Sequence, residues 1–275
     1  MKEKTPTVRA GKVRTSTLLA MKKAGERICV VTAYDYPSAL ALEEAGVEAC
    51  LVGDSLGQVV LGYESTLPVT VDEMLHHAKA VKRGLKRALL VVDLPFLSYQ
   101  LGPVQALASA GRLMKEAGAE AVKLEGGAEL APTVRLLRQA GVPVMGHLGL
   151  TPQSVHALGG YKIQAREPKA AAKLLADAKA LQAAGAFSVV LEGVPGALAR
   201  KVTRALAIPT IGIGAGVGCD GQVQVWHDLH GALPGRAPRH AKAFGGQFEA
   251  QVKALKAYAQ AVRAGSFPGP DQTPQ

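Results

Sequence analysis

The chain has 275 residues, a length that suits one barrel domain of ~250 residues better than an average small domain. Hydrophobic residues make up 48% of it but aromatics only 4%, so a large core must be built from Ala, Leu and Val, as in buried parallel strands and Ala-rich helices. The net charge of +10 is spread over the N-terminal segment, the predicted helix faces and the C-terminal region. With no arginine-rich block or stacking-aromatic motif, this favours a solvated basic surface over a nucleic-acid site.

The three cysteines, Cys29, Cys50 and Cys219, have no metal-ligand spacing and suit no disulfide framework. Cys29 and Cys50 lie in apolar runs and read as small buried hydrophobes. The sequence opens without an apolar signal core, and no apolar run approaches the ~18 residues of a membrane span. The expectation is a soluble cytoplasmic protein with no membrane and no nucleic-acid partner.

Residues 1–15 are polar and basic and are expected to form a mobile arm. A short helix follows over Ser16–Gly25. Then short β-rich runs alternate with longer stretches of helical period. The predicted strands are Ile28–Ala33, Ala49–Gly53, Ala88–Val92, Ala121–Leu124, Pro143–Gly146, Ser188–Leu191, Pro209–Ile213 and Gln222–Trp226. The predicted helices include Tyr36–Ala45, Val71–Gly84, Pro103–Ala117, Ala128–Ala140, Pro168–Ala184 and Ala197–Ala205. Several end at a glycine just before the next strand (Gly46, Gly118, Gly141, Gly185), where a left-handed C-cap belongs. This rhythm predicts an α/β fold, a closed (β/α)8 TIM barrel over residues 16–264. An additional C-terminal helix is expected near Gly246–Val262, and residues 265–275 form a tail. A doubly wound open sheet is the alternative.

Active sites of such barrels lie at the C-terminal ends of the strands. Those ends carry Asp35, Asp54, Asp93, Lys123 with Glu125, His147, and Glu192. One Asp after a strand is commonly a helix N-cap. Acidic residues at successive strand ends are a different matter, because crowded like charges need a compensating cation. Hard oxygen donors with few His and no Cys point to Mg²⁺. Lys123 and Glu125 are two residues apart on one strand and face the same side; a structural ion pair is the plainer reading of the two. Glu192 follows Val189-Val190-Leu191, an apolar setting that partly desolvates a carboxylate and suits a general base. Gly212-Ile213-Gly214-Ala215-Gly216 does not match GxGxxG and reads as a tight turn that lets backbone approach a ligand. His76 and His77 lie in a predicted helix without a metal-binding pattern and read as structural or surface residues.

Several motifs recur in order: Thr32-Ala33-Tyr34-Asp35-Tyr36, Leu51-Val52-Gly53-Asp54-Ser55-Leu56-Gly57, Ser65-Thr66-Leu67-Pro68-Val69-Thr70 and Asp93-Leu94-Pro95-Phe96. They continue with Val122-Lys123-Leu124-Glu125-Gly126-Gly127, Gly146-His147-Leu148-Gly149-Leu150-Thr151-Pro152-Gln153, Gly159-Gly160-Tyr161-Lys162 and Ile211-Gly212-Ile213-Gly214-Ala215-Gly216. Each is weak alone; in this order, from about Ser16 to Pro268, they make the chain resemble the ketopantoate hydroxymethyltransferases. The resemblance implies a Mg²⁺-dependent barrel of the phosphoenolpyruvate/pyruvate superfamily, usually a homodecamer. It implies transfer of a hydroxymethyl group from 5,10-methylenetetrahydrofolate to 3-methyl-2-oxobutanoate, giving 2-dehydropantoate in pantothenate biosynthesis. By position, Asp54 and Asp93 match metal ligands that also meet the substrate. Glu125 matches a third acidic residue at the metal, Ser55 and Lys123 match substrate contacts, Glu192 the proton acceptor, and His147 a pocket histidine. The chain departs from the family pattern near Pro238-Arg239-His240-Ala241-Lys242 and in the loop from Gly216 to Gly221. Another Mg²⁺-dependent C–C or P–C bond enzyme of the same superfamily is the catalytic alternative, though the Lys-Lys-Cys-Gly-His loop of the lyases is absent. An anion- or nucleic-acid-binding protein is the non-catalytic alternative.

Overall fold

A computed structural model describes residues 11–235 and 238–274. The chain divides into two compact units, Met1–Trp226 and His227–Gln275. The first is a closed barrel of eight parallel strands in sequence order: β1 (Ile28–Thr32), β2 (Ala49–Val52), β3 (Leu89–Asp93), β4 (Ala121–Glu125), β5 (Val144–Gly149), β6 (Ser188–Glu192), β7 (Thr210–Ile213) and β8 (Gly221–Gln224). β1 pairs with both β2 and β8, which closes the ring. The (β/α)8 TIM-barrel expectation therefore holds, and strand ends shift by only a few residues. The last strand is the clearest boundary change. The sequence carried it to Trp226, but pairing stops at Gln224, and the Trp226 N–H donates instead to Thr32 Oγ1 at 2.8 Å.

The helices are α1 (Thr15–Ala24), α2 (Tyr36–Glu44), α3 (Leu56–Val59), α4 (Val71–Gly84), α5 (Pro103–Ala117), α6 (Ala131–Gln139), α7 (Pro168–Ala184), α8 (Gly196–Ala205), α9 (Trp226–His230) and α10 (Gln247–Arg263). Local chemistry fixes their starts. Before α4, Thr70 Oγ1 accepts the Glu73 N–H while Glu73 Oε2 accepts the Thr70 N–H, a reciprocal capping box. Met74, Leu75, Ala78 and Val81 then bury one face of α4 at helical spacing. The predicted helix from Ala128 begins with a 3₁₀ turn over Ala128–Leu130 before α6.

Inside the barrel, alternate strand residues point to the axis. Val30, Leu51, Leu89, Val91, Ala121, Met145, Val190, Ile211 and Val223 form one aliphatic cluster. Val13, Leu18 and Met21 join it from the N-terminal side, so α1 stops that end of the barrel. The arm expected over residues 1–15 falls largely outside the described residues. Of its last residues, Lys12 Nζ meets Glu120 Oε2 at 2.6 Å, and the Val13 N–H donates to Arg87 O at 2.8 Å. Cys50 is buried as expected, whereas Cys29 occupies an outward position of β1 and is exposed.

The second unit holds α10, whose Tyr258 ring meets Phe267 edge-on at 5.4 Å. Leu255, Tyr258 and Val262 leave an exposed apolar stripe along α10. Among the described residues, no helix is long and apolar enough to cross a membrane.

Candidate active site

Continuing the inward rows towards the C-terminal strand ends replaces aliphatic side chains with charged ones. Two residues beyond Val91 lies Asp93; beyond Ala121 lie Lys123 and then Glu125; beyond Met145 lies His147; beyond Val190 lies Glu192. The register sets Asp93 beside Lys123 and Glu125 beside His147 on neighbouring strands. Asp54 enters from the turn after β2. Asp54, Asp93, Lys123, Glu125 and His147 are all buried, and Glu192 sits at the rim with its side chain 15% exposed.

The contacts knit these groups together. Lys123 Nζ lies 2.9 Å from Asp93 Oδ1, an ion pair without hydrogen-bond alignment. Asp93 Oδ2 accepts the Asp54 backbone N–H at 3.0 Å. Asp54 Oδ2 accepts from Gln153 Nε2 at 2.8 Å. His147 stands between two carboxylates, with Nδ1 3.2 Å from Glu125 Oε1 and Nε2 3.2 Å from Glu192 Oε2. Lys123 Nζ also lies 3.4 Å from His147 Nδ1. One ring nitrogen cannot accept from Lys123 and donate to Glu125 together. The shorter contact, to a carboxylate, assigns the Nδ1 proton to the Glu125 side. Ser55 Oγ shares a 2.8 Å hydrogen bond with the buried Tyr34 hydroxyl.

Two glycines make room. A Cβ at Gly53 would stand 2.9 Å from Ser55 Oγ and 3.4 Å from Asp93 Oδ2. Gly149, at φ +96°, ends β5 beside Glu192, and a Cβ there would collide with the Glu192 carbonyl oxygen. Both positions exclude a side chain so that the functional groups can converge.

The electrostatics follow from burial and crowding. Burial, then Asp93 and Glu125, hold the Asp54 carboxyl well above the usual carboxylate range, against the pull of Lys123 and Gln153. Burial also raises Asp93, although Lys123 opposes it. At Glu125 burial pushes up, but His147 and Lys123 outweigh it and the carboxyl is lowered. Burial and Lys123 both disfavour the His147 imidazolium, yet Glu125 and Glu192 overcome them and push it up to about 9. Burial likewise disfavours the Lys123 ammonium, and Asp93, Glu125 and Asp54 more than restore it.

Four carboxylates therefore share one pocket with two cationic side chains, and Asp54 bears the cost. A divalent cation beside Asp54 and Asp93 would relieve it, and the donors on offer are hard oxygens. Among the described residues, no three His, Cys, Asp or Glu side chains converge into a metal cage. Mg²⁺ is ordinarily held by one or two carboxylates and keeps water or substrate oxygens as its remaining ligands. Glu125 is already engaged, with Oε2 accepting the Gln153 N–H at 3.0 Å and Oε1 at His147.

The sequence reading gave no role to Tyr34, Tyr99 or Gln153. Tyr99 donates from its hydroxyl to Gln153 Oε1 at 2.7 Å, and the Tyr99 hydroxyl oxygen accepts the Glu125 N–H at 3.1 Å. Tyr99 lies in an irregular loop after β3, where neither periodicity nor spacing marks it. Gln153 stood inside a quoted motif, but a glutamine in a turn signals nothing until its partners are known. Asp35 resolves in the plainer direction: its Oδ1 accepts the Ser38 N–H at 2.8 Å and caps α2. His77 is structural too, with Nδ1 2.7 Å from Tyr34 O.

The barrel resembles solved structures of low sequence identity. A phosphonopyruvate hydrolase solved with oxalate and Mg²⁺ gives a TM-score of 0.61 at 13% identity, covering 96% of this chain and 92% of that one. A 2,3-dimethylmalate lyase of the PEP mutase/isocitrate lyase superfamily gives 0.59 at 17%, covering 95% and 92%. These likenesses carry the fold alone. Sequence relatives carry more. A 3-methyl-2-oxobutanoate hydroxymethyltransferase of Carboxydothermus hydrogenoformans is 58% identical over 257 residues, 94% of this chain and 93% of the relative. One from Gluconacetobacter diazotrophicus is 61% identical over 249 residues, 90% of each. The family model described as ketopantoate hydroxymethyltransferase matches residues 12–270, which span the whole barrel and every charged group at its mouth. With the fold, the relatives and that model in agreement, the chain belongs to the ketopantoate hydroxymethyltransferase family.

Proposed function

We propose that this protein transfers a hydroxymethyl group from 5,10-methylenetetrahydrofolate to 3-methyl-2-oxobutanoate, forming 2-dehydropantoate for pantothenate biosynthesis. The observation that carries the reading is the buried cluster of Asp54, Asp93, Glu125, Lys123 and His147 with Glu192 at its rim. The reaction needs a carbanion at a tertiary carbon next to a ketone, a very weak acid in water. Asp54 and Asp93 would hold Mg²⁺, with Glu125 as the third acidic residue beside it. Held there, Mg²⁺ would supply Lewis acidity that stabilises the developing enolate. Lys123, fixed by Asp93, places a positive charge where negative charge develops on substrate oxygen. Ser55, held by Tyr34, offers a hydroxyl to the keto acid. Glu192 takes the C3 proton. His147 beside it keeps that carboxylate oriented, and itself stays tied to Glu125. The resulting carbanion attacks the folate methylene carbon as one of its two C–N bonds breaks, and water then displaces the second nitrogen, leaving a CH2OH group on C3 and releasing tetrahydrofolate.

The cytoplasm is the compartment this reading implies. A homodecamer is the expected assembly, and the exposed Leu255, Tyr258 and Val262 stripe supports self-association, since such a patch ordinarily marks a contact surface.

The test is product formation. With 3-methyl-2-oxobutanoate, 5,10-methylenetetrahydrofolate and Mg²⁺, the protein is expected to yield 2-dehydropantoate by mass spectrometry and to stop when the metal is chelated. No product from this pair, or turnover of phosphonopyruvate instead, would remove the proposal. Light scattering is expected to give ten times the 28.5 kDa chain mass.

A further inference from the structure

The geometry points to Gln153 as a positioning residue that sets the Asp54 and Glu125 carboxylates for metal binding. This rests on the reading of Asp54 as a Mg²⁺ ligand. Gln153 lies in the 3₁₀ turn Pro152–Ser154 after β5 and is 5% exposed. Its side chain crosses the mouth of the barrel. Nε2 donates to Asp54 Oδ2 at 2.8 Å and to Leu94 O at 2.9 Å. Oε1 accepts from the Tyr99 hydroxyl at 2.7 Å and from Gln100 Nε2 at 3.2 Å. Its backbone N–H donates to Glu125 Oε2 at 3.0 Å.

Every hydrogen-bonding group of the side-chain amide is therefore used, so the amide has one orientation only. A flip would set Oε1 against a carboxylate and the Leu94 carbonyl, and Nε2 against the Gln100 amide. Any buried amide needs such partners; what sets Gln153 apart is that they include Asp54 Oδ2 and, through its backbone, Glu125 Oε2. The consequence falls on Asp54. Its Oδ2 is tied to Gln153, and among the described residues Oδ1 accepts no hydrogen bond. The pocket thus presents one defined oxygen of Asp54 for a ligand. Through its backbone, the same residue pins Glu125 Oε2 and leaves Oε1 to His147. Gln153 couples the turn after β2, the loop after β3, the end of β4 and the turn after β5.

Outer partners of metal-binding carboxylates typically tune affinity by about 10–100-fold. The experiment is calorimetric titration of Mg²⁺ into metal-free protein, with melting temperature in chelator measured alongside. Gln153→Met keeps the length and removes the amide, and its Kd for Mg²⁺ is expected to rise by about 10–100-fold. Thr203→Val removes buried hydrogen bonds to Ala199 and Thr210 away from the mouth, and its Kd is expected to stay at the wild-type value. An unchanged Kd in folded Gln153→Met overturns the inference, as does an equal rise in Thr203→Val. If Gln153→Met does not fold, Tyr99→Phe carries the test: a raised Kd supports the inference and an unchanged one overturns it. If wild type itself shows no Mg²⁺ binding, the metal reading of Asp54 falls first and this inference falls with it.

Discussion

Low in the barrel, the inward rows include Val91, Ala121, Met145 and Val190, stopped by Leu18 and Met21 of α1. Two residues higher on the same strands, the rows become Asp93, Lys123, His147 and Glu192. Backbone pairing is alike in both halves, and both are buried apart from Glu192 at the rim, yet they contribute to stability with opposite sign. The lower half removes apolar surface from water. The upper half removes charges from water and crowds like charges, and this is why Asp54 is held far above its ordinary range. The lower half stabilises the fold enough for the upper half to remain electrostatically uncomfortable. Stability of this kind is the usual counterpart of a prepared active site.

Substitutions in the two halves should therefore separate activity from stability. The largest effect is expected at Asp93, which meets Lys123, the Asp54 N–H and the proposed metal. Asp93→Ala should lower turnover by roughly a thousand-fold, the several kcal/mol that metal-centred charge stabilisation provides. Its melting temperature without metal should change far less than that of a core variant. Retention of a tenth of wild-type turnover would break the contrast. Next in size is Leu18→Ala in the base, expected to cost about 2–5 kcal/mol of unfolding free energy. Turnover per folded molecule should stay within a few-fold of wild type, measured by denaturant titration beside an activity assay. A large loss of turnover in the folded variant would show that the base and the mouth are not independent.

The smallest effect is a pH dependence confined to the mouth. His147 is raised from an ordinary 6.5 to about 9 by Glu125 and Glu192, against burial and Lys123. Its contribution to stability should be complete below about 6.5 and lost as pH rises through about 9. In metal-free protein, the melting-temperature advantage of wild type over His147→Gln should therefore shrink across that interval. An advantage that grows with pH would contradict the imidazolium assignment.

The fold was largely legible because apolar β-rich runs and glycine-ended helices repeat with a regular period. The final strand was the exception. Gln222–Trp226 has too little apolar content to fix its end, and past Gln224 the Trp226 N–H turns to the Thr32 side chain. Asp35 and Asp54 show the limit at the site. Both follow a strand, and nothing local tells them apart. Asp35 caps α2 through Ser38, while Asp54 turns inward because Gly53 leaves space for Ser55 and Asp93. The partners that aim Asp54 are Gln153, 99 residues away in sequence, and through it Tyr99 in an irregular loop. Such long-range hydrogen bonds leave no periodic trace. The residues carrying charge could be named from sequence, while the neutral residues holding them could not.

The central claim is that Glu192 takes the C3 proton of a keto acid held at the carboxylate cluster. Deuterium exchange at C3 of 3-methyl-2-oxobutanoate, followed by NMR without folate, tests substrate, metal and base together. Wild type should exchange rapidly with Mg²⁺ and lose exchange in chelator, and Glu192→Gln should be slower by about 10²–10⁴-fold while still binding Mg²⁺. Exchange in Glu192→Gln at the wild-type rate would contradict the account.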